Sequence, residues 1–300
     1  MTTSTDPPSA VPEGIENVAL VHTDRVRALH AYERLGFTMT PQGRYLLGGA
    51  DGIELGLANH HALFHHGGYW EIITVGDGEK LDVGYRALLE RHGVHLAKVT
   101  LRLPDAASEV ERLREIGVEA SGPVAMRRSL DVAGRTVDVD MELLSYPDHW
   151  DAWLHSSLIH ADRSINSVPE LLDHPNGSEA IEGVVIATGD VDATCARLTK
   201  FSGAAPVWSD DSTVVRLPDG TRFEVWPSDG ADEAYPVRWS DQPESLRAVI
   251  FSVPSIDELR GFFDGRGVAH GGTDVVEVDP SEAEGAHLVF EEPTRPPTPV

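Results

Sequence analysis

The sequence is poor in cysteine, with Cys195 the single one among 300 residues. One thiol forms no intramolecular disulfide and supplies no thiolate cluster for a structural zinc ion. Cys195 lies in a helix-like stretch beside alanine and leucine, where a free cysteine usually packs as a small apolar side chain. We expect it to be buried and structural; the alternative is a nucleophile.

Long apolar runs and an excess of positive charge are also missing. No stretch approaches the ~20 apolar residues that span a bilayer. The start, MTTSTDPPSAVPEG, has neither the basic nor the apolar region of a signal peptide. Aspartate and glutamate number 49 against 24 lysine and arginine, so the formal net charge is −25. Such a field repels nucleic acid and anionic membranes. We expect a cytoplasmic protein that binds neither.

The chain does have enough apolar material for a core, with 41% hydrophobic and 24% charged residues, as in soluble globular proteins. Its 300 residues suit one large domain or two ordinary ones. Both ends are rich in proline. We therefore expect disordered tails at residues 1–13 and 293–300.

A pattern of strand, helix and further strands recurs along the chain. The copies begin with IENVALVHTDRVRALHAYERLGF, LAKVTLRLPDAASEVERLREIGV, IEGVVIATGDVDATCARLTKFSGA and LRAVIFSVPSIDELRGFFDGRGV. Each opens with a short β-branched apolar run, which is typical of a strand. A Pro, Asp, Ser or Thr break then suits a helix N-cap, and apolar spacing of three and four residues follows. Each predicted helix ends near a glycine, the residue that favours the left-handed C-cap: Gly36, Gly117, Gly203 and Gly267.

Strand-like pieces follow each predicted helix. In successive copies they are HALF with YWEIITV, RTVDVDMELL, STVVRL with TRFEVWP, and TDVVEV with AHLVFEE. The turn PDG joins the two pieces of the third copy. The order of elements predicts an α+β fold with antiparallel strands.

Four stretches of the first half carry a family resemblance: GIENVALV, ERLGFTMTPQGRY, ANHHALFHHGGYWEI and LLDHPNGS. They are similar to the glyoxalase-like domain branch of the vicinal oxygen chelate superfamily, which includes glyoxalases, extradiol dioxygenases and bleomycin-binding proteins. The resemblance implies βαβββ units, two of which form a curved sheet around a cup. Four such units make two cups, which we place at residues 14–178 and 179–292.

The resemblance also implies a place for a metal. Enzymes of this superfamily commonly hold it on a histidine in the first strand of a unit and a glutamate in the last. The corresponding slots are Asn17 and Glu71, Lys98 and Glu142, Gly183 and Glu224, and Ala248 and, approximately, Val289. No first-strand slot is a histidine, so we expect the second cup to be metal-free and Glu224 to be a solvated or hydrogen-bonded strand residue.

The first cup keeps polar residues in its slots: Asn17, Glu71, Lys98 and Glu142. A lysine ammonium only donates hydrogen bonds, and it competes with a metal cation for the same carboxylates. Lys98 between two glutamates can take the place of the metal charge, and the glutamates can move protons on a substrate. The alternative is a structural Lys–Glu pair in an inactive cup.

The stretch ANHHALFHHGGYWEI contains four histidines close to Glu71. If its two glycines form a two-residue turn, Phe64 lies opposite Glu71 and His60 opposite Val75. His60 then shares the face of Glu71, while His61 and His65 point away; one extra turn residue reverses this. A displaced metal site made of His60, Glu71 and either His160 or Asn17 stays open as an alternative, with Ni, Zn, Fe or Mn as the ion.

For several other candidate residues, the sequence allows either a structural or a functional role. Arg128 can meet an anionic substrate, or it is surface charge. Trp70, Trp150 and Trp153 can line an aromatic wall, or they are core residues. Asp138, Asp140 and Glu142 alternate along one strand and make one face acidic.

We expect a small-molecule enzyme of lyase or isomerase type in the first cup that moves a proton next to a carbonyl. Glu71 or Glu142 is the expected base, and Lys98 or His60 the group that stabilises the oxyanion. Asn17, Trp70 and Arg128 are expected to contact the substrate, with no cofactor. The missing ligand triad argues against extradiol oxygen chemistry. The alternatives are a sequestration protein and a metalloenzyme with displaced ligands, and the chain is expected to be a monomer or homodimer.

Overall fold

The computed structural model describes residues 11–76, 78, 80–132, 134–146, 154–160, 168–209, 211–236 and 244–293, with the backbone alone at 154–160. Predictions on Trp150, on Trp153, on the side chain of His160 and on most of both tails lie outside these residues. No helix in the described part of the chain is long and apolar enough to cross a membrane.

The first half of the chain contains two copies of the repeat. Its elements are β1 (Gly14–His22), α1 (Arg25–Arg34), β2 (Arg44–Leu47), β3 (Ile53–Glu54), β4 (Leu57–Leu63), β5 (Tyr69–Val75), α2 (Tyr85–His92), β6 (His95–Arg102), α3 (Ala106–Glu115), β7 (Ser121–Val132), β8 (Arg135–Ser145) and β9 (Leu154–His160).

The second half repeats this order after a short 3₁₀ helix at Pro169–Leu171. Its elements are β10 (Ala180–Thr188), α4 (Val191–Ser202), β11 (Pro206–Trp208), β12 (Thr213–Arg216), β13 (Arg222–Pro227), α5 (Ser228–Ala234), β14 (Glu244–Ser252), α6 (Ile256–Arg266), β15 (Val276–Val278) and β16 (His287–Glu291). The α+β class predicted from the sequence is confirmed.

Strand pairing shows how the units combine. In each unit the first strand pairs in parallel with the last: β1 with β5, β6 with β9, β10 with β13 and β14 with β16. Antiparallel pairs β1–β6 and β10–β14 join the units two by two. One sheet has nine strands in the order β3-β2-β7-β8-β9-β6-β1-β5-β4, and the other has seven in the order β11-β12-β13-β10-β14-β16-β15. The expected pair of curved sheets is confirmed, although in the fourth unit the described residues after the helix form two strands and the isolated bridge Gly271–Glu277.

The helix boundaries follow the predicted signals. The side chains of Asp24, Asp105, Asp190 and Ser255 each accept a hydrogen bond from the backbone N–H three residues on, as N-caps do. Gly203 and Gly267 end α4 and α6 with φ of 73° and 64°, a conformation that costs glycine little.

The helical faces of both sheets share one core. Phe251 of β14 lies 5.3 Å from Phe37 and 5.7 Å from Phe64, measured between ring centroids. The hydroxyl of Tyr32 donates to the carbonyl of Ala283 across the two halves at 3.0 Å. Cys195 is buried in the same cluster, which confirms its prediction as a packed residue.

The nine-stranded sheet curves until its two ends meet. Ahead of β2, the N–H of Gly43 donates to Asn59 of β4 at 3.0 Å, and the N–H of Thr40 donates to His61 at 2.7 Å. The contacts close the first cup, because β2 and β4 lie near opposite ends of the strand order. Much of the interior is apolar and includes Tyr45, Leu63, Tyr69, Leu130, Val139 and Met141.

A candidate active site in the first cup

Glu71 points into the first cup because side chains alternate along β5. Tyr69 and Ile73 lie on its face, whereas Trp70 and Ile72 face the shared core. Trp70 packs 5.3 Å from Tyr32 between ring centroids and is fully buried. The prediction that Trp70 contacts substrate in the cup is therefore wrong, since that indole is one residue out of phase with Glu71.

Both carboxylate oxygens of Glu71 are occupied. Oε2 accepts from Asn17 Nδ2 at 2.9 Å and from Lys98 Nζ at 3.0 Å. Oε1 accepts from Asn59 Nδ2 and, at 3.4 Å, from the hydroxyl of Tyr45. The Nε2 atom of His61 lies 3.3 Å from the same oxygen. Glu71 is only 2% exposed, so these partners replace water as its surroundings.

The pair Glu71–Lys98 is held in its charged form. Burial opposes ionisation of Glu71, but the charge of Lys98 and hydrogen bonds from His61 and Lys98 outweigh it and hold its pKa well below the usual range. Burial likewise lowers the pKa of Lys98, yet Glu71 and Tyr85 together raise it. In this state Lys98 is an ammonium, which is a poor nucleophile, and Glu71 is a weak base.

The histidine that reaches Glu71 is His61. In the β4–β5 register His61 pairs with Glu71, and His60 pairs with Ile72. Leu63 pairs with Tyr69, so residues 64–68 form the loop instead of a two-residue turn. The prediction that His60 shares the face of Glu71 is therefore wrong, because the five-residue loop shifts the register by three, an odd number that exchanges the two faces of β4.

The two histidines have different surroundings. Burial, reinforced by the charge of Arg128, lowers the pKa of His61 to about 3, so its imidazole is neutral. His61 stacks on Tyr69 at 4.6 Å and lies 3.1 Å from the hydroxyl of Tyr45. The Nδ1 atom of His60 donates to the carbonyl of Thr40 at 2.8 Å on the other side of the strand, where burial also lowers the pKa of that imidazole.

Glu142 lies outside the cup. Val139 and Met141 of β8 belong to the interior cluster, so the alternation places Glu142 on the outer face, where it is exposed. Among the described residues, the second partner of Lys98 is Tyr85 of α2 rather than Glu142. The predicted position of Lys98 between two glutamates is therefore wrong, since Glu142 is one residue out of phase with the interior.

Arg128 lies inside the cup. Its cross-strand partners are Tyr45 and Val139, and Leu130 of the same strand faces the interior. The guanidinium is 2% exposed and donates from Nη2 to the hydroxyl of Thr40 at 2.9 Å. Its Nε atom has no hydrogen-bond partner, and no carboxylate among the described residues forms a salt bridge with it. Within the described ranges, Arg128 is therefore a buried cation with no carboxylate in salt-bridge contact.

The sequence reading missed several residues around Glu71: Tyr45, Asn59, His61 and Tyr85. Leu57, Asn59, His61 and Leu63 occupy alternate positions of β4 and therefore share one face. The correct length of the hairpin loop would have been enough to predict that His61 lies beside Glu71. Tyr45 and Tyr85 reach the site through the closure of the sheet and the position of α2, which no local pattern signals.

A divalent metal does not fit this donor set. Glu71 already accepts the ammonium of Lys98, and the amides of Asn17 and Asn59 turn their N–H groups toward it. In the described part of the chain, no group of three or more His, Cys, Asp or Glu side chains is arranged to hold a metal ion. The two first-strand slots in which a metal ligand was expected, Asn17 and Lys98, hold groups that donate to Glu71.

Lys98 is the more exposed member of the pair. Tyr85 and Leu89 of α2 pack against Ala19, Val21 and Ile73 beside it. The side chain of Lys98 is 14% exposed, compared with 3% for Glu71.

In the second cup, Glu224 accepts from Arg222 Nε at 2.7 Å, and the same guanidinium donates to Glu291 at 2.8 Å. Glu224 is therefore a hydrogen-bonded strand residue, one of the two readings the sequence left open. At the first-strand slot, a Cβ on Gly183 would lie 2.8 Å from Arg222 Cγ and 2.5 Å from its carbonyl oxygen. Glycine at this slot therefore leaves room for the arginine.

Comparison with solved structures shows the same fold. A hypothetical protein from Staphylococcus aureus matches with a TM-score of 0.66 and 14% identity, over 93% of this chain and 99% of that one. A fusion of a xylose isomerase-like TIM barrel with 4-hydroxyphenylpyruvate dioxygenase matches with a TM-score of 0.57 and 13% identity, over 98% and 51% of the two chains. A triple mutant of 4-hydroxymandelate synthase from Streptomyces coelicolor gives 0.53 and 13%, over 88% and 77%.

Comparison with curated protein sequences gives no significant match. The sequence profile of the glyoxalase-like domain family matches residues 18–201, which is more than half of the chain. This range contains Glu71, Lys98 and Arg128. The similarity is thus carried by sequence as well as by fold, and the chain belongs to the glyoxalase-like domain family.

Proposed function

We propose that the first cup is a metal-free site for a small carbonyl compound with an acidic group, and that it catalyses proton transfer at the carbon next to the carbonyl. The observation that carries the proposal is the contact of Lys98 Nζ with Glu71 Oε2 at 3.0 Å, in the slots where the superfamily holds a metal. A fixed ammonium can stabilise the oxyanion that a Lewis acid otherwise stabilises.

Lys98 supplies the electrophile. It remains protonated because Glu71 and Tyr85 raise its pKa, and it is the exposed member of the pair. A carbonyl oxygen of the ligand can therefore accept from Nζ without displacing a buried group. As the neighbouring C–H bond breaks, its electron pair forms the enolate double bond, and the negative charge moves to this oxygen.

Glu71 receives the proton when Lys98 turns to the ligand. The charge of Lys98 is the main influence that keeps Glu71 ionised, whereas burial raises its pKa. Sharing the ammonium with an oxyanion therefore makes the carboxylate more basic at the moment when a base is needed. Return of the proton to another carbon is an isomerisation, and departure of a leaving group is a lyase reaction.

Arg128 is proposed to hold the acidic group of the ligand. A buried guanidinium that is not neutralised is costly, and an anionic ligand offsets that cost. Tyr45 lies between Arg128 and Glu71, and burial together with the charge of Glu71 raises its pKa well above the ordinary value, so its hydroxyl stays a donor.

The proposal is tested by hydrogen exchange in D₂O with 2-oxobutyrate as probe, following loss of the C3 proton signal by NMR. We expect exchange above the buffer rate with protein treated with EDTA. Lys98→Met should lower the rate about a hundredfold or more, the effect of removing an oxyanion donor. Lys80→Met is the matched control, because Lys80 forms an exposed pair with Glu54.

Three results would contradict parts of this function. Exchange that is lost with EDTA and restored by Ni, Zn, Fe or Mn supports a metalloenzyme with displaced ligands. Absence of exchange, together with tight binding of the probe, supports sequestration, which the full occupation of the Glu71 oxygens favours. Unchanged exchange in Lys98→Met removes Lys98 from the mechanism.

A further inference from the structure

The interior of the second cup carries polar side chains that the first site does not use. Ser245 and Arg247 of β14, His287 of β16 and Trp226 of β13 occupy neighbouring strands. In the registers, Ala187 pairs with both Trp226 and Ser245, and Ala248 pairs with His287. Ala187 and Ala248 thus form the floor of the second cup between the larger polar side chains.

The faces of these residues follow from their neighbours. Ala248, Val185 and Val289 form an interior cluster against which Trp226 and Tyr235 pack, whereas Leu246 and Val249 belong to the shared core. The register shifts between Val185 and Ile186, so β14 has one extra residue there. Arg247 is this residue, and it faces the interior beside Ala248.

The polar atoms of this group lack partners in the described protein. Ser245, Arg247 and His287 are 1%, 1% and 5% exposed. The unpaired atoms are Ser245 Oγ, Arg247 Nε and Nη1, both ring nitrogens of His287, and Trp226 Nε1. Except for Ser245 Oγ and one nitrogen of His287, these are groups that only donate. Buried polar groups are nearly always hydrogen-bonded, so the cluster calls for an acceptor.

Helix α5 covers the group and supplies a carboxylate that contacts Arg247. Asp232 Oδ1 lies 2.7 Å from Arg247 Nη2, and the side chain of Asp232 is 49% exposed. Tyr235, at the end of α5, lies 5.2 Å from His287 and 5.4 Å from Trp226 between ring centroids. The helix therefore holds Arg247 by an ion pair that remains open to solvent at its acidic end.

We propose that the second cup is a separate binding site for a small carboxylate, under α5. Arg247 supplies the charge, Trp226 and His287 donate to the carboxylate oxygens, and Asp232 competes with the ligand for Arg247. The unpaired buried donors of this group call for an acceptor such as a carboxylate, and the alanine floor limits the ligand to a small one. The site is independent of the proton transfer proposed for the first cup.

The test uses the intact protein labelled with ¹⁵N and sodium acetate as probe, with sodium chloride at equal ionic strength as reference. The indole N–H signal of Trp226, assigned with Trp226→Phe, should shift saturably with acetate and not with chloride. Asp232→Asn should tighten acetate binding several-fold, because it removes the competing carboxylate. Arg247→Met should weaken binding about tenfold or more, as loss of a buried charge partner does.

Controls separate this site from the first cup and from unfolding. Arg216→Met removes an exposed arginine of the same half and should leave the shift unchanged. Lys98→Met should also leave it unchanged, whatever its effect on the first cup. No saturable shift in either wild type or Asp232→Asn overturns the proposal. The proposal is also overturned if Arg247→Met binds acetate as tightly as the wild type does. A crystal grown with acetate that shows only ordered water under α5 would overturn it as well. If Arg247→Met does not fold, the Asp232→Asn result decides.

Discussion

Lys98 is the cationic partner of a buried carboxylate, and this gives a stability prediction. Lys98→Met leaves the carboxyl group of Glu71 buried without its counter-ion, so the free energy of unfolding should fall by about 3–5 kcal/mol. Adding Glu71→Gln should recover most of the loss, because the remaining charge is then removed as well. Urea unfolding of both single variants and the double variant measures the coupling.

The matched control is Lys80→Met, which removes a pair with exposed partners and should cost less than about 1 kcal/mol. Equal losses in the two lysine variants would show that burial does not strengthen the Glu71–Lys98 pair.

His174 gives a pH prediction. Its Nδ1 accepts from the N–H of Thr38 at 2.9 Å, and its Nε2 donates to the carbonyl of Leu63 at 2.8 Å. Burial lowers the pKa of His174 from 6.5 to about 4. The unfolded chain therefore binds a proton below pH 6.5 that the folded chain does not bind until about pH 4. Stability conferred by the neutral ring is full above the unfolded pKa and is lost as the pH falls through this window.

We expect His174→Gln to reduce the slope of unfolding free energy against pH between 4 and 6.5 by about 1.4 kcal/mol per pH unit. Denaturant titrations at several pH values measure the slope. His66→Gln, at an exposed position, is the control and should not change it. The same slope in wild type and His174→Gln would mean that folding does not lower the pKa of His174.

Residue-level predictions from the sequence succeeded where the first strands and their alternation were clear. Asn17, Glu71 and Lys98 do meet, at 2.9 and 3.0 Å from one carboxylate oxygen. The predictions failed at His60, Trp70 and Glu142, each of which lies on the opposite face of its strand from the one that was expected. A strand has a side-chain period of two, so an error of one residue is a complete inversion.

At the scale of elements, the capping signals make a further prediction. Asp190 accepts from the N–H of Ala193 at 2.9 Å and begins α4. Asp190→Ala should lower the free energy of unfolding by about 1 kcal/mol, the usual cost of a lost N-cap. Asp192→Ala, in the first turn of the same helix, is the control and should cost about half of that or less. Thermal or urea unfolding compares the two, and equal losses would contradict the capping role.

Helices α2 and α5 were not anticipated from the sequence, although each covers a cup. Both are short, with eight and seven residues, and they stand between strands outside the repeated pattern. Isolated helices of this length are unstable in water. Their helical state depends on the surfaces under them, which the local sequence does not describe.

At the scale of the whole molecule, the shared core predicts cooperative unfolding. Phe251 is fully buried and contacts Phe37, Phe64 and Trp70 of the other half. Phe251→Ala should lower the free energy of unfolding by about 3–5 kcal/mol and affect both halves together. Calorimetry should show one transition, while the exposed Val207→Ala leaves it in place. Two separate transitions would establish 14–178 and 179–292 as independent domains.

The sequence by itself determined the α+β class, the repeated units, the helix caps and the replacement of histidine by Asn17 and Lys98 in the first-strand slots. Each of these depends on residues near one another in the chain, or on their period. Only the tertiary structure decided that Tyr45, Asn59 and His61 complete the surroundings of Glu71, that Arg128 is buried inside the first cup, and that both halves share one core. These follow from how the sheet closes and how long a loop is, which bring together residues far apart in the sequence and which no local pattern encodes.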